Sequence, residues 1–184
     1  MTRPARNWLL VALFIAVTFA VAPRLPDAVT WTVAALGLPV VLVAWWVTAP
    51  FHRARARLAR RDFDAAATEL AAFEVSLTAS PWKRALASLA VGLHTANPLA
   101  AARNTLGAVR LEQGRLDDAR AHFEAALAHD AGYGVPWGNL AVLAAMAGDA
   151  AKAEEARAKA AALGFGPRIL AKVIHDKLAA AKAR

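Results

Sequence analysis

The chain has 184 residues, of which 58% are hydrophobic, and it contains no cysteine. Without cysteine the chain cannot form disulfide bonds or thiolate metal sites, and catalysis by a thiol is excluded. The net charge at pH 7 is +8, but residues 100–167 are near neutral, with seven Lys and Arg against eight Asp and Glu. The basic surplus therefore lies in the rest of the chain.

Two long uncharged runs near the N-terminus explain the high hydrophobic content. The runs cover residues 7–22 and 28–49, which are 16 and 22 residues long. A helix needs about 20 apolar residues to cross the core of a bilayer. We therefore predict that residues 1–50 form two transmembrane helices, about 7–23 and 28–49, that fold back on each other as a hairpin. Pro39 predicts a kink in the second helix because it cannot donate a backbone hydrogen bond.

The first run also has the features of a cleaved signal peptide. Two arginines precede a short apolar core, which ends in the small residues of segment 20–22. Pro23 would follow the cleavage site, and it is a poor residue there because the protease needs an extended, accessible backbone. We favour a retained helix, and a cleaved signal stays open as the alternative.

Residues 51–61 form a basic juxtamembrane segment directly after the second run. Its arginines are Arg53, Arg55, Arg57, Arg60 and Arg61. Because Lys and Arg beside a span stay in the cytoplasm, the segment predicts an integral inner-membrane protein whose C-terminal part is cytoplasmic. A second predicted role is contact with anionic lipid headgroups, worth about 1 kcal/mol per basic side chain, by Arg53, Arg55, Arg57 and Arg60. Nucleic-acid binding is less favoured, because no aromatic residues alternate with these arginines.

Residues 62–99 are predicted to hold one helix of a degenerate repeat and one inserted helix. The sequence RDFDAA at residues 61–66 aligns with GRLDDA at residues 114–119. This offset of 53 residues exceeds a 34-residue repeat by the length of an additional helix. The inserted helix is predicted to begin after the N-cap Ser80 and to end at Asn97-Pro98.

Further along, the spacing of apolar residues is that of two helices joined by a turn at Gly114. Small residues at Gly107 and Ala119 allow the two helices to approach closely, and Phe123 fills the space between them. The stretch resembles the tetratricopeptide repeat, a 34-residue helix-turn-helix unit with the pattern W-x2-L-G-x2-Y, then A-x3-F, then P. Gly107 and the leucine before it match the L-G pair, and Ala119 and Phe123 match A-x3-F.

A second unit follows in register, so residues 100–167 are predicted to hold two repeats. Trp137 begins the W-x2-L pattern of this unit, and Gly148 repeats the first turn glycine after 34 residues. The first unit departs from the pattern at positions 103 and 110, where arginine replaces the expected Trp and Tyr. The alternative interpretation is a pair of generic alanine-rich hairpins.

Residues 168–184 predict a last helix whose apolar stripe covers the end of the stack. The predicted fold is all-α, with an N-terminal transmembrane hairpin, a short tetratricopeptide-like α-solenoid and a C-terminal capping helix. This arrangement has a looser architectural likeness to HemY-like inner-membrane proteins. The repeat resemblance implies a scaffold that binds an unidentified protein or peptide, because stacked hairpins form a concave groove. The alternative is a membrane-complex assembly or accessory factor in which the transmembrane hairpin carries the function.

The sequence contains no motif for catalysis or metal binding. Its five histidines are scattered without the spacing of metal ligands, and no glycine-rich loop follows a strand pattern. We therefore predict neither enzymatic activity nor a cofactor.

The predicted partner-binding groove lies on the faces of the first helices opposite the L-G pair. Its predicted lining residues are Asn104, Ala108, Leu111, Asn139, Val142 and Met146. Because this lining is apolar with two amides, we expect an amphipathic or extended segment whose backbone pairs with the amides. A ligand carboxylate would find no cation among these residues. The alternative is that the chain's own inserted helix or its C-terminal helix fills the groove.

Overall fold

The computed structural model describes residues 27–89 and 95–182 and is all-α over those residues. Its helices are α1 (Asp27–Ala59), α2 (Phe63–Ala79), α3 (Pro81–Leu89), α4 (Pro98–Glu112), α5 (Leu116–His129), α6 (Gly134–Met146), α7 (Ala150–Ala162) and α8 (Pro167–Lys182). The predicted all-α class is confirmed for this part of the chain. Helices next to each other in sequence pack together and each hairpin packs on the next, which is the arrangement of an α-solenoid.

The two central hairpins, α4 with α5 and α6 with α7, turn at equivalent glycines. Gly114 has φ +78° and Gly148 has φ +77°, in the left-handed region that glycine adopts at helix ends without steric cost. The residue after each glycine donates its N–H to a carbonyl five residues earlier. These bonds run from Arg115 to Arg110 at 2.9 Å and from Asp149 to Ala144 at 2.9 Å. Both hairpins thus close with the same helix-terminating geometry.

A third hairpin precedes these two and consists of the C-terminal half of α1 packed against α2. Arg61 has φ +63° at its turn, and Asp62 N–H donates to the Arg57 carbonyl at 3.0 Å. Phe51 and Ala54 of α1 are buried in one core cluster with the α2 side chains Leu70, Phe73 and Leu77. The segment predicted as a basic juxtamembrane region is therefore also the first helix of a hairpin.

The inserted helix α3 begins directly after Ser80. It covers Pro81–Leu89 and packs against α1 and α2, and residues 90–94 lie outside the described part. Asn97 does not end α3 but caps α4, because its Oδ1 accepts hydrogen bonds from the N–H groups of Leu99 at 3.0 Å and Ala100 at 3.4 Å. Helix α4 consequently begins two residues before the predicted start of the repeats.

The last helix, α8, packs on α6 and α7 at the C-terminal end of the stack. Leu170 is buried and Ile174 packs against the same cluster. This cluster also contains Phe123, Val142 and Leu143. Helix α8 therefore covers apolar surface that the final hairpin would otherwise expose to water.

The predicted transmembrane segments fall partly on α1 and partly outside the described residues. The first, 7–23, lies outside them. The second, 28–49, is contained in α1, which continues through Pro39 and Pro50 without a break in its helical assignment. Within the described part of the chain, we find no helix that combines the length and the apolar content needed to cross a bilayer.

Candidate functional site

A groove with a volume of about 630 Å³ runs along one side of the stack. It is lined by the first helices of the three hairpins, α1, α4 and α6, and by the turn that follows α7. Its lining residues are Phe51, Arg55, Leu58, Ala59, Asn104, Thr105, Ala108, Gly132, Tyr133, Gly134, Val135, Asn139, Leu163, Gly164, Phe165 and Gly166. The groove is therefore the concave surface of the solenoid.

Two amides and a phenol form a hydrogen-bonded group in this groove. Asn139 Nδ2 donates to Asn104 Oδ1 at 2.9 Å, and Asn104 Nδ2 donates to the Tyr133 hydroxyl at 3.4 Å. Asn104 is 7% exposed, whereas Asn139 is only half-buried. Burial raises the pKa of Tyr133 above its usual range, so the phenol keeps its proton even in alkaline solution. Asn139 is the amide of this group that a partner reaches most readily.

Arg55 brings a positive charge to the same groove. Among the described residues that line the groove, it is the one formally charged side chain. The residue is exposed, so its guanidinium is free to meet a partner's carboxylate in solvent. The positive charge of Arg55 lowers the pKa of Tyr133, which is the opposite of the effect of burial. The sequence pattern predicts Arg55 at the lipid headgroups and no cation in the groove.

The α1 residues of the groove could have been found in the sequence. Phe51, Arg55 and Leu58 lie 53 residues before Asn104, Ala108 and Leu111, the same offset that aligns the two turns. The alignment of the turns begins at Arg61, and the same offset carried back toward the N-terminus reaches these α1 residues. The turn after α7 corresponds, at the 34-residue offset, to the turn after α5, whose Gly132 and Tyr133 also line the groove.

Three of the six predicted groove residues line the observed groove, and three lie elsewhere. Asn104, Ala108 and Asn139 belong to the lining. Leu111 is 9% and Val142 only 1% exposed, and both belong to the core cluster that includes Leu170, with Met146 packed against it. The docking of α8 on α6 accounts for the burial of Val142. Neither α3 nor the described side chains of α8 line the observed groove, whereas Leu170 and Ile174 of α8 share the core cluster of the predicted residues Leu111 and Val142.

Two of the four arginines predicted to contact lipid bind carboxylates of α2 and its turn. Arg53 makes a two-pronged contact with Glu69, Nε to Oε1 at 3.2 Å and Nη2 to Oε2 at 3.0 Å. This hydrogen bond with Arg53 holds the pKa of Glu69 below its usual value. Arg57 binds Asp62 at 3.1 Å and approaches Glu69 at 3.7 Å. These pairs hold α1 against α2, while Arg60 is exposed.

Comparison with known families bears on the repeats alone. A family model described as tetratricopeptide repeat matches residues 110–171, from the end of α4 into α8. This segment is similar to tetratricopeptide repeats. The match covers neither the N-terminal runs nor the HemY-like arrangement predicted from them. No curated protein matches the chain.

In the described residues, no group of three or more His, Asp and Glu is placed to hold a metal ion.

Proposed function

We propose that this chain is a scaffold that binds a segment of another protein in its concave groove. The observation that carries the proposal is the convergence of three successive first helices on one open cavity of about 630 Å³. Tetratricopeptide repeats are typically non-catalytic binding units, and the match to this family supports the same role here. The groove is long enough to be shared by three hairpins, which suits an extended or helical segment.

The chemistry of the groove defines the segment it would accept. Phe51, Val135 and Leu163 give it apolar walls, and the amide of Asn139 is placed to pair with a peptide backbone. Arg55 supplies the cation that the sequence-based prediction lacked. The partner segment therefore carries apolar side chains and one carboxylate that meets Arg55.

A matched pair of substitutions tests the groove. Ala108→Arg places a long side chain in the groove, and Ala121→Arg adds the same side chain to an exposed site on α5. Each full-length variant is extracted from native membranes in mild detergent, and the co-purified proteins are quantified by mass spectrometry. We expect Ala108→Arg to lose partners that Ala121→Arg keeps, with both variants melting like the wild type. Equal recovery would contradict the groove. If Ala108→Arg unfolds, Arg55→Glu replaces it.

We further propose that the scaffold is anchored in the inner membrane with its groove in the cytoplasm. The support is the uncharged run 28–49 in the sequence, which leads directly into the first hairpin. Val40, Leu42 and Val43 of this run are exposed large hydrophobic side chains. Helix α1 contains this run, and no helix of the described residues combines the length and apolar content needed to cross a bilayer; the proposal therefore rests on the uncharged sequence alone.

Deletion of the N-terminal segment separates the scaffold from an assembly factor that acts through its transmembrane hairpin. The deletion should end at residue 44, because Val47 and Phe51 belong to the core of the first hairpin. A scaffold keeps its partners after this deletion, whereas a folded domain that loses all of them would indicate that the hairpin carries the function.

A further inference from the structure

Two exposed tryptophans from two helices flank one lysine, and a third exposed tryptophan directly precedes one of them in the sequence. Trp45 and Trp46 of α1 are 67% and 59% exposed, and Trp82 of α3 is 53% exposed. Lys83 Nζ lies 5.5 Å from the ring centroid of Trp46 and 5.7 Å from that of Trp82. The inserted helix therefore brings a third indole to the end of the uncharged run.

The most exposed large hydrophobic side chains of the described residues lie on the first three helices. Among the described residues, every large hydrophobic side chain that is more than half exposed belongs to α1, α2 or α3. These side chains are Val40, Leu42, Trp45, Trp46, Val75, Trp82 and Leu89. Such a concentration is unusual for a surface that faces water alone.

The charge of this region is positive. Lys83 and Arg84 are the charged residues of α3, and residues 28–61 contain no Asp or Glu. The carboxylates of α2 have partners of their own, Glu69 in Arg53, Glu74 in Arg103 and Asp64 in Gln113. The region therefore offers indole rings and cations without a competing negative charge.

We propose that α3 lies in the headgroup region of an anionic bilayer, with Trp45, Trp46 and Trp82 at the level of the interface. Indole rings favour this level because one edge is polar and the body is apolar. Lys83 Nζ also donates to Ser76 Oγ at 3.2 Å, so the exposed Arg84 is the basic side chain of α3 that extends to the lipid phosphates, as long basic side chains do at interfaces. The inference rests on the membrane part of the proposed function, and it gives the insertion between the first two hairpins the role of holding the solenoid against the membrane.

The absence of cysteine makes the depth of α3 measurable with single labels. Full-length Trp82→Cys, Leu89→Cys, Val43→Cys and Ala158→Cys variants are each labelled with an environment-sensitive fluorophore. They are reconstituted in vesicles of phosphatidylcholine and phosphatidylglycerol that contain quencher-bearing lipids. Leu89→Cys keeps all three tryptophans, Val43→Cys reports on the α1 run, and Ala158→Cys is an exposed control on α7.

We expect shallow lipid quenchers to quench labels at positions 82 and 89 several-fold more than the label at 158. If the label at position 43 is quenched while the labels at 82 and 89 behave like the label at 158, the inference about α3 is overturned and the membrane anchor is supported. If the label at position 43 is not quenched but the labels at 82 and 89 are, the transmembrane anchor is overturned and the contact of α3 with the bilayer surface is supported. If labels at 82 and 89 are shielded from aqueous iodide yet not quenched by lipid, a protein surface covers α3 and the inference is overturned.

Discussion

Gly107 and Phe123 are in direct contact between α4 and α5, and the contact depends on the missing side chain of the glycine. A methyl group on Gly107 would lie 2.5 Å from Cε1 and 2.7 Å from Cδ1 of Phe123. The ring is fully buried and has little space into which it can move. The close packing expected from the sequence, a small residue opposite a large one, is therefore present.

The first prediction concerns this glycine. Gly107→Ala gains about 1 kcal/mol in helix propensity but forces the ring aside at a cost of about 1–3 kcal/mol. We expect a net loss in the free energy of unfolding, measured by urea denaturation of the full-length protein in mild detergent. Adding Phe123→Leu to Gly107→Ala should recover part of the loss, because leucine leaves room for the methyl group. A single variant as stable as the wild type would contradict the contact.

The second prediction concerns the ring itself. Phe123→Ala leaves a cavity between α4 and α5 and should lower the free energy of unfolding by about 3–5 kcal/mol. Leu116→Ala is the control, because Leu116 lies on the same helix but is partly exposed, and it should cost much less. The same denaturation experiment measures both. Similar losses for the two variants would show that Phe123 is not a central core residue.

The third prediction compares two equivalent turns. Arg61 and Gly114 both have positive φ. Glycine adopts this conformation without strain because it lacks the Cβ atom that clashes with the backbone in other residues. We expect Arg61→Gly to stabilise the protein and Gly114→Arg to destabilise it, each by about 1 kcal/mol. A Cβ on Gly114 would meet no atom within 4 Å, so this loss reports the backbone alone. Equal melting temperatures for both variants and the wild type would exclude strain at the turns.

The repeat pattern predicted the turns and the small positions well, because both are set by local sequence. Gly114, Gly148 and Gly107 each have a steric reason to be glycine, and this reason is visible in the spacing. The first helix of the first hairpin was missed because it shares α1 with the uncharged run, and arginine occupies two of its pattern positions. Of that helix, Ala54 alone keeps the small residue that matches Gly107.

The groove was predicted in part because lining depends on how each helix is rotated against its neighbours. Asn104 and Asn139 line the observed groove, and their contact with a partner stays a prediction. Val142 is buried because α8 docks on α6, and a one-dimensional pattern does not contain that docking. Arg55 lines the groove for the same reason. The packing of α1 against α2 determines which face of α1 is turned toward the groove.

The fourth prediction is a loss of stability at acid pH that depends on His122. Burial, aided by the charges of Arg103 and Arg110, lowers the pKa of this half-buried histidine in the folded protein. The unfolded chain binds the proton near pH 6.5, before the folded protein does, so stability present above that pH falls as the pH decreases. We expect His122→Gln to reduce the drop in melting temperature between about pH 7 and 5.5.

The exposed His129 on the same helix provides the control for this pH effect. His129→Gln should leave the pH dependence of the melting temperature close to that of the wild type. If His122→Gln and the wild type lose stability in parallel, the burial of His122 does not influence the acid response. His52 has a pKa that burial also lowers, so part of the dependence should remain in His122→Gln.

The fifth prediction is that both ends of the chain are cytoplasmic. Five arginines lie between positions 53 and 61, against Arg24 alone between the two uncharged runs. The pairs of Arg53 and Arg57 with carboxylates of the folded hairpin do not weaken this prediction. Orientation follows the Lys and Arg beside a span and not the net charge, and it is set before α2 can fold against α1.

A reporter active only in the periplasm and one active only in the cytoplasm, each fused after Arg184, measure this orientation. We expect the cytoplasmic reporter alone to be active, and activity of the periplasmic one would contradict the prediction. Fusions ending at Asp27 then distinguish the fate of the first run. A retained helix gives a membrane-bound periplasmic reporter of full length, whereas a cleaved signal releases a shorter one. Either result leaves the groove on the cytoplasmic side, because the arginines after position 52 act on the second run in both cases.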